Sequence, residues 1–312
     1  MSVAELAATD LYPGAVQPGT RLQRWLNRIL PMGAILVLLI LAWYGLAAYF
    51  NLHFLNIQMQ DVDPAGWHRL SFSQKLQRAL STGSPTMPTP VQTVGDFLQR
   101  LDQAPSLDTG LWSDLLYTAQ VAIQGFALGT VIGVLLAVLF MSSRILSRSL
   151  LPYVVASQTI PIVALVPPIM ITLGLGMRSE VLISAYLAFF SITISTYKGL
   201  QSVQPVAFEL MRSYAANSWQ VFAKLRFPAA LPFLFTGLKV GVTASLVGAI
   251  IAELPSGSSH GLGQGLVAAS TYSNNIQLWS TMFAAACLGL ALYGLVVLAE
   301  RLLLRWNVEP QE

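Results

Sequence analysis

The sequence predicts an all-α membrane protein with about six transmembrane helices. Three observations carry that prediction. First, 54% of the 312 residues are hydrophobic and only 10% are charged, against roughly 25% charged in a typical soluble domain. Second, the charges leave long gaps. No Asp, Glu, Lys or Arg lies between Arg28 and Asp61, Asp114 and Arg144, Arg148 and Arg178, Glu180 and Lys198, Lys239 and Glu253, or Glu253 and Glu300. A helix needs about 20 mostly apolar residues to cross the hydrocarbon, and backbone groups in lipid must pair within their own segment. Third, the composition excludes the other classes. It is too apolar for a disordered chain. With 17 basic and 14 acidic side chains, it has too few charges to coat a soluble globule of this length. One cysteine, Cys287, excludes a disulfide framework within the chain.

The gaps place six spans near Ile29–Tyr49, Leu116–Met141, Leu150–Leu175, Val181–Tyr197, Ala229–Ala252 and Ile276–Leu303. The predicted organisation is a cytoplasmic tail over 1–28, a first transmembrane helix over 29–50 and an extended external segment over 51–113. A five-helix core follows over 114–305, then a short tail over 306–312. The apolar run after Arg28 is too long for a secretory signal core and lacks a clear small-residue cleavage site, so it reads as a retained span. Basic residues favour the cytoplasmic side. Both termini inside puts Arg21, Arg24, Arg28, Arg144, Arg148, Lys198, Arg212, Lys224, Arg226, Arg301 and Arg305 there. The outer basic residues then cluster in one long loop, where the rule is weak.

Between the spans, Arg21–Arg28 alternates basic and apolar residues. It suits a helix lying on an anionic inner leaflet or, more simply, the basic flank of a span. In the external segment, Phe72–Leu80 and Val94–Leu101 have helical spacing of apolar positions. They fit the membrane surface, an external partner or a plain insertion. The third span contains Pro161, Pro167 and Pro168. Proline removes a helix donor, and such breaks in a membrane are tolerated against neighbours or a water-filled cavity. A pathway-lining helix and a kinked packing helix both fit. The fourth span carries Ser184, Ser191, Thr193, Ser195 and Thr196, small hydroxyls that favour helix packing. Lys239 reads as a snorkelling side chain. Between spans five and six, Leu254–Asn275 holds Gly257, Gly261, Gly263 and Gly265, which imply tight turns or close backbone approach. No GxxxxGK[ST] phosphate loop occurs.

The inner segment Pro205–Leu238 is the most informative. Glu209–Lys224 reads as a short helix with Phe208, Met211, Ala215 and Trp219 near one face, ended by Phe227-Pro228. Exposed aromatics on an inner helix call for a partner surface. At these residues the sequence resembles the permease subunits of bacterial ATP-binding-cassette importers. Their hallmark is EAA, three residues, Gly, nine residues, Ile, one residue and Leu-Pro. The matching frame is Glu209-Leu210-Met211, then Arg212-Ser213-Tyr214, Ala215, nine residues to Lys224, Leu225, Arg226 and Phe227-Pro228. Glu-Leu-Met replaces EAA, and Ala215 stands at the glycine. Met87–Pro90, SQTIPIVALVPPI (Ser157–Ile169), LGLGMRSEVL (Leu173–Leu182), TYKGL (Thr196–Leu200), PAALPFLFTGLKVG (Pro228–Gly241) and AEL (Ala252–Leu254) look like the nitrate/sulfonate/taurine branch. The likeness covers roughly residues 87–305, with 51–86 resembling an insertion.

The resemblance implies a type I ABC importer permease fold with a cytoplasmic coupling helix, in a bacterial inner membrane. It implies a second permease chain as a homodimer or related heterodimer, two cytoplasmic ATPase subunits and an external solute-binding protein. ATP and magnesium would be bound by the ATPases. This chain would carry no cofactor, metal site, catalytic group or nucleic-acid partner. The family's coupling contact carries over to Glu209, Arg212, Ser213, Tyr214, Ala215, Ala216, Asn217 and Trp219, with Pro228 closing the motif. Pro161, Pro167 and Glu253 are pathway or gate candidates, and Glu253 also fits a brace for the outer loop. The expected solute is sulfonate-, nitrate- or taurine-like, or a pyrimidine or vitamin precursor. No basic cluster lines the predicted spans. Two further readings stay open: a stand-alone secondary transporter, and a non-transporting membrane scaffold.

Overall fold

The structure, a computed structural model, describes residues 21–103 and 110–304. The predicted tails over 1–20 and 306–312 lie outside the described residues. The chain divides into two compact units, residues 1–90 and 91–312.

The first unit is built on helix α1 (Arg21–Val62). It starts within the basic stretch and runs twelve residues past Phe50, where the sequence reading ended the first span. Its apolar residues Ile35–Leu41 are 40–66% exposed, as expected of a helix that meets lipid. Beyond the lipid-facing stretch, α2 (Pro64–Arg69) and α3 (Phe72–Ser81) fold back on α1. Leu55, Trp67 and Ala79 form a small core there. Asn51 ties the turn: its amide nitrogen donates to the carbonyls of Ala79 (3.0 Å) and Met87 (2.9 Å), and its oxygen accepts from the Met87 amide (3.0 Å). The Trp67 indole donates to Asn56 Oδ1 at 2.7 Å, and Lys75 lies 5.1 Å over the Trp67 ring.

The second unit opens with α4 (Pro90–Asp102) and continues through α5 (Leu111–Ser142), α6 (Arg144–Ser157), α7 (Ile162–Leu173), α8 (Met177–Gln201), α9 (Pro205–Ser213) and α10 (Ser218–Val221). A π-helical turn over Phe222–Arg226 leads into α11 (Phe227–Glu253), followed by α12 (Leu262–Thr271) and α13 (Asn275–Leu303). Five of the described helical segments are long and apolar enough to cross a membrane, or six when the bent pair α6–α7 counts as one span.

Helix α8 is the centre of this unit, packed between α5 and α11. Small residues make that possible. Gly125, Gly129 and Gly133 recur every four residues on α5 and so share one face. A Cβ on Gly125 would stand 2.2 Å from Ser184 Oγ. Lipid supplies no hydrophobic drive between helices, so close backbone approach and interhelical hydrogen bonds hold them. Ser184 Oγ donates to the Ser245 carbonyl at 2.8 Å, and Ser245 Oγ donates to the Ala122 carbonyl. The hydroxyls of α8 thus serve packing. Helix α4 is anchored to α13: Arg100 Nη1 donates to Ser280 Oγ (3.1 Å) and Thr281 Oγ1 (3.0 Å), and Phe97 meets Phe283 edge-on.

Four expectations need correction or sharpening. The third span is not one kinked helix but two. Helices α6 and α7 meet at 99°, because Pro161 has no amide hydrogen and follows three residues held only by short i→i−3 turns. Glu209–Lys224 is not one helix either. It breaks at Tyr214–Asn217. Phe227-Pro228 does not end a helix, since the chain stays helical from Ser218 to Glu253. Pro228 cannot donate to the fourth residue back; the π turn, in which the Phe227 amide reaches the Phe222 carbonyl, widens the helix just before it. Lys239 does not snorkel. Its Nζ lies 2.6 Å from Glu300 Oε2 on α13, so a charge at membrane depth is met by a partner.

Candidate functional site

The sequence places its densest motif at 205–228, and the geometry there follows from local rules. Helix α9 has Pro205 at its first turn, where a missing N–H costs nothing. Its C-terminus closes as a Schellman motif. The Ala216 amide donates to the Met211 carbonyl at 3.0 Å, and the Ala215 amide donates to the Arg212 carbonyl at 2.9 Å. That motif requires a left-handed residue, and Ala215 takes it, at φ +52°. This is the position at which the resembling motif has glycine. Asn217 then caps α10. Its Oδ1 accepts from the Gln220 amide (2.8 Å), and Gln220 Oε1 accepts from the Asn217 amide (2.9 Å).

The result is a short helix and a tight turn standing out from the bundle. Glu209, Arg212, Ser213, Ala215 and Asn217 are exposed. Tyr214 is 77% exposed and Trp219 72%. Ala216 and Pro228 are half-buried. A cavity of about 600 Å³ opens here between Val138 and Met141 of α5 and Phe208, Trp219, Phe222 and Arg226. The Arg226 guanidinium carbon lies 5.0 Å over the Phe208 ring, and its Nε is buried with no hydrogen-bond partner. Trp219 stacks on Phe222 at 6.0 Å. Exposed aromatics beside a cavity of mixed lining have the composition of an interface patch.

At the opposite end of α11 the chemistry is reversed. Glu253 is fully buried. Its Oε2 accepts from Thr118 Oγ1 at 3.0 Å and from the Gly263 amide at 2.8 Å. Thr118 Oγ1 in turn accepts from the Leu262 amide at 2.9 Å, and Asp114 accepts from the Gly261 amide at 2.9 Å. Two carboxylates and a threonine thus hold the start of α12 on to α5 and α11. Close approach explains the glycines: Gly261 sits at φ +119°, and a Cβ on Gly263 would come within 2.6 Å of the Glu253 Cβ and the Ile250 carbonyl. The segment read as a glycine-rich loop is therefore half helix. Beside it, Tyr117 OH donates to Glu180 Oε2 at 2.7 Å, and Glu180 is also fully buried. Glu180 Oε1 and Glu253 Oε1 have no partner.

Pro161 precedes α7 at the break, and Pro167 lies exposed within α7. Sequence reasoning missed Asp114, Thr118 and Glu180. The available signal was that Asp114 and Glu180 each open a long uncharged gap. It also missed the Lys239–Glu300 pair, in which Lys239 is a lone charge inside an apolar run and Glu300 closes the longest uncharged gap. Among the described residues no group of three or more His, Cys, Asp or Glu side chains could hold a metal ion.

Comparison with known proteins agrees with this geometry. The sequence profile described as "Binding-protein-dependent transport system inner membrane component" matches residues 129–307. The formylaminopyrimidine transport permease protein of Halalkalibacterium halodurans is 32% identical over 221 residues, covering 71% of this chain and 86% of that one. The putative aliphatic sulfonates transport permease protein of Bacillus subtilis is 30% identical over 221 residues, covering 71% and 78%. A crystal structure described as an amino acid ABC transporter with histidines superposes with a TM-score of 0.54 at 20% identity, over 67% of this chain and 99% of that one, a likeness of fold.

Proposed function

The chain belongs to the family of binding-protein-dependent transport inner-membrane components, and on that premise we propose how it couples to its partners and what it carries. It is the membrane permease subunit of an ABC importer. It is not an enzyme: the ATPase activity lies in partner subunits.

The coupling surface is the protruding turn of α9 and α10. Glu209, Arg212, Ser213, Tyr214, Ala215, Ala216, Asn217 and Trp219 face an ATPase subunit there, and Pro228 with the π turn splices that surface into α11. The observation that carries this reading is the exposure of Tyr214 and of Trp219, which lines an open cavity. Exposed aromatics of that size on a structured turn are typical of interface anchors. The full assembly has two such ATPases, which bind ATP and magnesium, a second permease chain and an external binding protein, with both termini of this chain cytoplasmic. ATP favours one arrangement of the bundle over another only if it binds that arrangement better. The ATPase dimer must therefore close on the turn and move it. Glu253 braces the outer segment through its buried hydrogen bonds, and Pro161 and Pro167 shape the pathway side.

The solute is an uncharged, hydrogen-bonding ring compound of the pyrimidine class. Relatives of nearly equal identity carry names from a pyrimidine and from sulfonates, so identity does not decide between them. Charge does. Among the described residues, the basic side chain well inside a span is Lys239, and it is already paired with Glu300. A small anion crossing this bundle would find no free cation from this chain at membrane depth. A photo-reactive amino acid in place of Asn217 tests the coupling surface. Illumination of the assembled transporter should capture an ATPase subunit. Capture of none sinks the reading.

A further inference from the structure

Membrane-depth polar groups with no structural partner are rare and informative. At the break between α6 and α7 the Gln158 side chain is exposed, and the hydroxyls beside it keep spare acceptor capacity. The Tyr186 hydroxyl donates to the Ser157 carbonyl at 2.8 Å. Tyr186 is near the middle of the 25-residue helix α8, roughly 14 Å from its first residue at 1.5 Å per residue. The break therefore lies beside the middle of α8, one of the helices long and apolar enough to cross a membrane. Gln158 and Thr159, which form it, are both exposed. The Thr159 hydroxyl spends its hydrogen on the Ala156 carbonyl at 2.7 Å, which leaves its lone pairs free. The Gln158 side chain offers two donors and an acceptor. Non-helical backbone at this depth persists only where it is buried in protein or faces a water-filled cavity.

The aromatic neighbourhood adds a second, independent feature. Tyr186 packs with Phe190 at 4.9 Å and with Phe189 at 5.8 Å between ring centroids. The hydroxyl of Tyr186 fixes its ring beside the break, one residue from Gln158. A flat π surface next to an amide and a hydroxyl matches a small heterocycle, which stacks by its face and hydrogen-bonds by its edge. Nothing in this set is charged, which suits a neutral solute and offers a small anion no counter-charge.

We propose that the break between α6 and α7, with the Gln158 amide, the Thr159 hydroxyl and the Tyr186 ring at its edge, is a solute-contact site for an uncharged, flat, hydrogen-bonding heterocycle. The proposal rests on the reading of the chain as a permease for such a compound. Cysteine accessibility tests it in the assembled transporter, with Cys287→Ser as background. A thiol reacts as its thiolate, which forms in water and not in lipid. Gln158→Cys and Thr159→Cys should therefore label with a membrane-impermeant maleimide about tenfold or more faster than Val131→Cys on the apolar face of α5. Excess 4-aminopyrimidine should slow the labelling, and methanesulfonate should not. Labelling no faster than Val131→Cys overturns the site. Protection by methanesulfonate, or by neither compound, overturns the ligand class. The photo-capture from Asn217 is independent of all three outcomes. Capture with failed labelling removes this site alone, whereas failed capture removes the coupling surface.

Discussion

The two ends of α11 use opposite strategies. At Trp219 the chain exposes large aromatics around an open cavity. At Glu253 it buries a carboxylate completely and spends one oxygen on the Gly263 amide and the Thr118 hydroxyl. An end that spends a buried group on its own chain is built from within, whereas an end that displays its rings is complementary to something outside it. The same helix therefore carries one surface whose loss should cost stability and another whose loss should cost only transport.

Glu253→Ala is the strongest way to break this contrast. It strands the Gly263 amide and the Thr118 hydroxyl in a dry site, at a cost of about 2–3 kcal/mol. Thermal unfolding of the detergent-solubilised transporter should show a clear fall in Tm, and Glu253→Gln, which keeps an acceptor, a smaller one. An unchanged Tm would mean that the brace is not structural. Gly263→Ala should cost about 2 kcal/mol by overpacking, since its Cβ would meet the Ile250 carbonyl, which cannot move aside like a side chain. Trp219→Glu should leave the unfolding free energy within about 0.5 kcal/mol of the parent, with Tm nearly unchanged. It should cut ATP-driven uptake about tenfold, equivalent to about 1.4 kcal/mol in the coupled step. A large loss of Tm there would make Trp219 a core residue instead of an anchor. Ala215→Gly is the mildest. It relieves a left-handed alanine and should stabilise the turn by up to about 1 kcal/mol, with uptake retained.

Much of this was readable in the sequence because lipid imposes a strong rule on composition. Uncharged gaps located α5, α8, α11 and α13 closely, since a charge inside them must find a partner. The motif spacing marked Ala215 as the position of the family's glycine. What failed was whatever depends on a partner far along the chain. Lys239 read as snorkelling because Glu300, 61 residues later, is invisible to a local pattern. Asp114 and Thr118 gave no motif because their partners are backbone amides of Gly261 and Leu262. The third span read as one kinked helix because its prolines report a break but not its angle. Glu209–Lys224 read as one helix because apolar spacing persists across a Schellman turn.

The π turn at Phe222–Arg226 has a mechanical consequence. It lets a helix pass a proline without a joint, so Ser218–Glu253 is a continuous shaft of 36 residues, roughly 54 Å at 1.5 Å per residue. One end holds the displayed tryptophan and the other the buried glutamate. The displayed end and the braced end thus belong to one uninterrupted run of helix, and at the braced end a single acidic oxygen grips two groups.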